Sequence, residues 1–218
     1  MDVGERALEI DRRLTGLYPG ARIMLSYDTD FHLLVAVILS AQCTDRKVNE
    51  VTAALFPKYP TVASFAGADP ADLERDLRPT GFFRNKTRNV IGAARLVLEE
   101  HGGTVPDTME ELLTLPGVAR KTANVVLGNL FGKVEGIAVD THVSRLAHRL
   151  GLSSEKDPVK VERDLMALLP RKEWFRVTYR LIEHGRAVCD AKRPVCGACV
   201  LNGLCPNAFA VQGWREAP

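Results

Sequence analysis

The chain has 218 residues, 46% of them hydrophobic and 26% charged, an ordinary balance for a folded protein able to bury a sizeable core. No stretch approaches 18 uninterrupted apolar residues, which excludes a membrane-spanning helix, and Met1-Asp2-Val3-Gly4-Glu5-Arg6 has neither the basic region nor the apolar core of an export signal. The net charge of +2 hides a segregation: residues 120–193 hold 15 Lys/Arg against 9 Asp/Glu, which suits a polyanionic partner.

Residues 5–18 are predicted to form a helix with Ala7, Leu8, Ile10, Leu14 and Leu17 on its apolar face, ended by Pro19-Gly20. Phe31 to Gln42 reads as a helix apolar nearly all round and therefore buried within a helical domain. Cys43 follows it and reads as an inert core thiol. Thr44 is placed to cap a helix running to about Lys58. Short helices are expected over 62–67 and 70–77, the second opened by Asp69-Pro70. Gly81 to Lys86 is a turn leading into a long helix to about Glu100, closed by Gly102-Gly103. A short helix over Met109 to Leu113 precedes the turn Pro116-Gly117, and a helix from Val118 to about Phe131 follows it. Asp140 or Thr141 caps a helix to Leu150, Asp157-Pro158 opens one to about Leu169, and Trp174 to Cys189 is the last long one. No segment sustains strand alternation, so the chain is predicted to be all-α.

Two stretches carry chemistry. Pro116-Gly117 leaves the amides at the start of the following helix without partners, a place suited to a phosphate, and Lys121 stands one turn in. With Gly117, the small Ala119 and Arg120, this fits backbone amides gripping DNA without reading its sequence. The residues alone leave Lys121 as either a phosphate clamp or a reactive amine. The second stretch holds four of the five cysteines within seventeen residues: Cys189, Cys196, Cys199 and Cys205. Four thiolates in one loop suit tetrahedral zinc or an iron–sulfur cubane, and their spacing separates the two poorly.

Leu115 to Leu127 resembles the helix–hairpin–helix of the DNA glycosylase superfamily. Val139-Asp140-Thr141-His142-Val143 resembles the segment that carries its catalytic aspartate, and Leu39 to Asp45 resembles its LSxQxTD stretch. The cysteine spacing is similar to that of the [4Fe–4S] loop of the family's cluster-bearing members. These features span most of the chain in the family's order. The resemblance implies an all-α, two-lobed fold with DNA between the lobes: a six-helix barrel over 24–134 with the hairpin at about 111–131, and a cluster lobe from 1–23 and 135–218.

The resemblance also implies an activity, a bifunctional glycosylase and abasic-site lyase of base excision repair acting on oxidised pyrimidines. Lys121 would be the nucleophile and Asp140 the essential carboxylate. Cys189, Cys196, Cys199 and Cys205 would hold the cluster, with a monovalent cation allowed at the hairpin. Double-stranded DNA carrying oxidised pyrimidines or abasic sites would be the partner, met by a monomer in the cytoplasm. Gln42 and Phe82 would fill the gap left by a flipped nucleotide; Phe82 replaces the family's usual leucine, and the adjacent Phe83 leaves open which ring is the wedge. Gly117, Ala119, Arg120, Thr122, His142, Arg186, Lys192 and Arg193 complete the expected DNA contacts, with Ala119 standing where a second glycine is usual. An adenine mismatch glycosylase fits less well, because it lacks a lysine at position 121 and carries a further C-terminal domain. A non-catalytic cluster protein that binds DNA is the reading from outside enzymology.

Overall fold

The computed structural model describes residues 1–216 and is all-α among them, with eleven α-helices and three short 3-10 turns. The chain divides into two compact units, one of Met24–Glu135, the other of Met1–Ile23 with Gly136–Pro218. No described helix is long and apolar enough to cross a membrane.

The first unit holds α2 (Asp30–Leu39), α3 (Asp45–Lys58), α4 (Val62–Ala66), α5 (Pro70–Leu77), α6 (Phe83–His101), α7 (Met109–Thr114) and α8 (Arg120–Leu130). Every residue of α2 from Phe31 to Leu39 is buried, as its all-round apolarity demands, and the helix packs against α3, α6 and α8. The expected caps are in place: the Thr44 hydroxyl accepts from Lys47 N, and the Asp69 carboxylate accepts from Ala71 N and Asp72 N ahead of Pro70 at the first turn. Gly102 closes α6 in the left-handed conformation.

Two helix starts differ from expectation. Helix α6 begins at Phe83, inside the segment expected as a turn, because Phe82 adopts φ 47° and its carbonyl accepts from Lys86 N at 3.1 Å. Helix α8 begins at Arg120 rather than Val118: Val118 N–H closes a turn onto Leu115 O, and Ala119 is extended at φ −102°.

The second unit holds α1 (Val3–Leu17), α9 (Thr141–Arg149), α10 (Pro158–Leu168), α11 (Trp174–Ala187) and the cysteine loop. Helix α1 starts two residues before expectation because Asp2 and Glu5 form a reciprocal capping box. Its buried Ile10 and Leu14 join Ile137, Leu146, Leu165 and Leu181 in one apolar core. Within this unit Arg180, 3% exposed, bonds Asp11 at 2.7 Å and Glu173 at 2.8 Å, so a buried cation is fully paired.

Candidate active site and nucleic-acid interface

The hairpin turn is seated on α6. Gly117 has φ 81°, and a Cβ there would lie 2.9 Å from Asn89 Cβ, so both conformation and space require glycine. Pro116 lies against Gly92, where an added Cβ would meet its Cγ at 3.1 Å. The helix that follows has Ala119 as its N-cap, with no side chain capping the first amides. Those amides and the positive end of the helix dipole form a compact anion site. Gly117 and Ala119 are exposed, and Arg120 and Lys121 half-buried in the first turn. Thr122 is buried, 8% exposed, in the same turn.

Two loops of the same unit carry strained backbone. Gln42 (φ 53°) and Phe82 (φ 47°) are two of the three non-glycine residues with positive φ among the described residues. Both are exposed, Phe82 by 62%. Phe83, the competing aromatic, is half-buried with the Arg84 guanidinium 5.5 Å from its ring centre. Strain held on an exposed aromatic and an exposed amide is a cost that packing does not recover. Cys43, expected as a core thiol, is only half-buried.

In the other unit Asp140 caps α9. Its Oδ1 accepts from the amides of His142 and Val143, both at 2.8 Å, which fixes the carboxylate in one orientation. His142 Nδ1 lies 3.4 Å from Asp140 Oδ2 but outside hydrogen-bonding geometry. The His142 ring packs where α9 meets α11: a Cβ at Gly185 would come within 3.1 Å of it.

Cys189, Cys196, Cys199 and Cys205 are all half-buried and line a single cavity of about 30 Å³, closed by apolar groups such as Leu146, Leu150, Val195 and Val211. Donors point at the sulfurs: Leu201 N–H to Cys199 Sγ at 3.4 Å and Arg149 Nη1 to Cys189 Sγ at 3.3 Å. His184 bridges Cys199 and Tyr18, with Nε2 3.4 Å from Cys199 Sγ and Nδ1 3.2 Å from the Tyr18 hydroxyl. Burial, reinforced by the neighbouring cysteines, pushes the Cys199 thiol up to about 11. Thiolates in this cavity therefore call for a positive centre among them. Among the described residues, no three His, Cys, Asp or Glu side chains converge closely enough to hold a single metal ion.

Arg186, Lys192 and Arg193 are exposed, the last two on a turn whose amides donate to Asp190 Oδ1 at 2.9 and 2.8 Å. Sequence reading missed the arginines beneath that turn. Arg149 also donates to Asp190 O and Ala191 O, both at 2.6 Å, and Arg145 donates to Cys189 O and Gly185 O. Their spacing of four along α9, facing the expected loop, was the one signal available.

The profile of the HhH-GPD superfamily of base excision DNA repair proteins matches residues 35–171. Endonuclease III of Synechocystis is 55% identical over 206 residues, 94% of either chain. That of Bacillus subtilis is 43% identical over 194 residues, 88% of either chain. A solved non-covalent endonuclease III–DNA complex superposes with a TM-score of 0.92 at 40% identity, covering 96% of this chain and 98% of the other. A trapped endonuclease III–DNA covalent intermediate gives the same score and identity, covering 96% and 99%.

Proposed function

This chain belongs to the HhH-GPD superfamily of base excision DNA repair proteins, and from that premise we propose which of its residues carry the reaction. The activity is that of a bifunctional DNA glycosylase and abasic-site lyase acting on oxidised pyrimidines through a lysine Schiff base. The observation that carries the assignment of the nucleophile is Lys121 in the first turn of the uncapped helix α8. A backbone phosphate gripped there brings the adjacent sugar to its amine.

The Lys121 amine attacks C1′ as the bond to the damaged base breaks, and the base leaves with the bonding electrons. Loss of the 4′-oxygen link through ring opening gives the Schiff base. Removal of a C2′ proton then expels the 3′-phosphate, and water frees the lysine. Asp140 is the carboxylate that stabilises the cationic sugar, held ready by the two amides on its Oδ1. Attack requires the nucleotide to leave the stack. Gln42 and Phe82 fill the vacated space, and exposure favours Phe82 over Phe83 as the wedge. Gly117, Ala119 and Arg120, with the Thr122 amide, hold phosphate at the hairpin, and Arg186, Lys192 and Arg193 are further phosphate contacts. His142 positions the carboxylate's surroundings.

The donor set of the cysteine cavity suits a [4Fe–4S] cluster: four thiols line it among apolar groups, and hydrogen-bond donors face two of the sulfurs. Bound through Cys189, Cys196, Cys199 and Cys205, the cluster would supply charge compensation and cross-linking of the loop that presents Lys192 and Arg193.

Borohydride reduction in the presence of thymine-glycol or abasic duplex is expected to trap a covalent protein–DNA adduct, and Lys121→Ala is expected to abolish it. Absence of an adduct with the intact protein, or its persistence in the variant, would overturn the assignment of Lys121.

A further inference from the structure

Lys86 is a cation that the reaction above does not use, yet it is 4% exposed. Its Nζ donates to Thr80 O at 2.8 Å, and its backbone N–H donates to Phe82 O at 3.1 Å. One residue therefore grips the chain on both sides of Gly81, immediately before and at the left-handed pair Gly81 (φ 70°) and Phe82 (φ 47°). Thr80 is itself buried, and its hydroxyl is tied to Leu77 O at 2.8 Å, so the anchor under the turn is rigid. Burial draws the Lys86 ammonium below the usual lysine range. A buried ammonium is costly to keep, and an aliphatic chain of the same length would fill the space without desolvating a charge.

We propose that Lys86 is a positioning residue for void filling, its ammonium fixing the Thr80–Phe82 turn so that Phe82 is preset for the space a departing nucleotide leaves. This rests on the reading of Phe82 as a group that enters the duplex. Preset wedges avoid ordering strained loops at the moment of binding, which is where a duplex substrate gains and a single strand does not.

The test compares strand nicking of a thymine-glycol duplex with nicking of a single-stranded abasic oligonucleotide, which has no gap to fill. Lys86→Met and Phe82→Ala are each expected to lower the duplex-to-single-strand rate ratio roughly tenfold, with the double variant no worse than either. A proportional loss on both substrates, or full additivity with Phe82→Ala, would overturn the proposal. If Lys86→Met does not fold, Gly81→Ala attacks the same turn at an exposed position where no atom lies within 4 Å of the added Cβ. It carries the same expectation, and an unchanged ratio there also overturns the proposal. Wild-type protein that nicks neither substrate would sink the lyase reading instead.

Discussion

At Gly117 a single hydrogen atom stands where any side chain would fail twice, through φ 81° and through the 2.9 Å approach of Asn89. Gly117→Ala is expected to cost about 1–3 kcal/mol in chemical denaturation. Trimming Asn89 to alanine offers little relief, because its Cβ is one of the atoms met. Affinity for duplex DNA, read by fluorescence anisotropy, should fall equally for damaged and undamaged sequences if the turn holds phosphate as proposed, because such a contact reads no base. Wild-type stability and affinity would show that the turn adapts. Ala119 is the instructive contrast. Its φ of −102° is open to any residue, so the departure from the family's second glycine leaves the turn unstrained. Phe82 and Phe83 look alike in sequence, and the structure separates them by exposure, the first 62% exposed on a left-handed backbone and the second half-buried.

At the scale of elements, α9 reaches into the cysteine loop through its two arginines. Arg149 satisfies the carbonyls of Asp190 and Ala191 and donates to Cys189 Sγ, three acceptors matched by one guanidinium fork. Arg149→Met is expected to loosen the loop and lower iron bound per chain from the roughly four atoms of a full cluster, measured anaerobically alongside zinc. Arg149→Lys should recover only part of it, because one ammonium cannot span the three acceptors. Full iron in Arg149→Met would show that the thiols alone hold the loop, and about one zinc in the wild type would replace the cluster altogether. That junction also marks the limit of sequence reading. Thr44, Asp69-Pro70, Asp157-Pro158 and Gly102 announced their helix ends because capping acts within four residues. The start of α8 was misplaced by two, because the turn at Leu115 to Ala119 depends on its seat on Asn89 and Gly92. Arg149 meets its loop 40 residues away and Lys86 works through burial, neither of which a local pattern records.

Across the whole molecule the charge is segregated: residues 120–193, with 15 Lys/Arg against 9 Asp/Glu, are net cationic, and the remainder of the chain is net anionic. Cations on flexible side chains give affinity in proportion to the counterions they displace, so their number is readable from salt dependence. Lys192 and Arg193 sit on a turn fixed by Asp190, and the amides of Arg193 and Lys192 hold the Asp190 carboxyl below its ordinary range. The turn is thereby an acidic anchor presenting two basic side chains. Lys192→Ala/Arg193→Ala is expected to flatten the plot of log affinity against log salt by about two units of slope. The loss should be the same for lesion-bearing and intact duplex, because a phosphate contact from this loop carries no information about the base. Borohydride trapping at saturating protein should still proceed through Lys121, so affinity and chemistry come apart in one variant. A slope equal to that of the wild type would mean that the cysteine loop does not touch DNA, and the electrostatic grip would then rest on the hairpin and on α11.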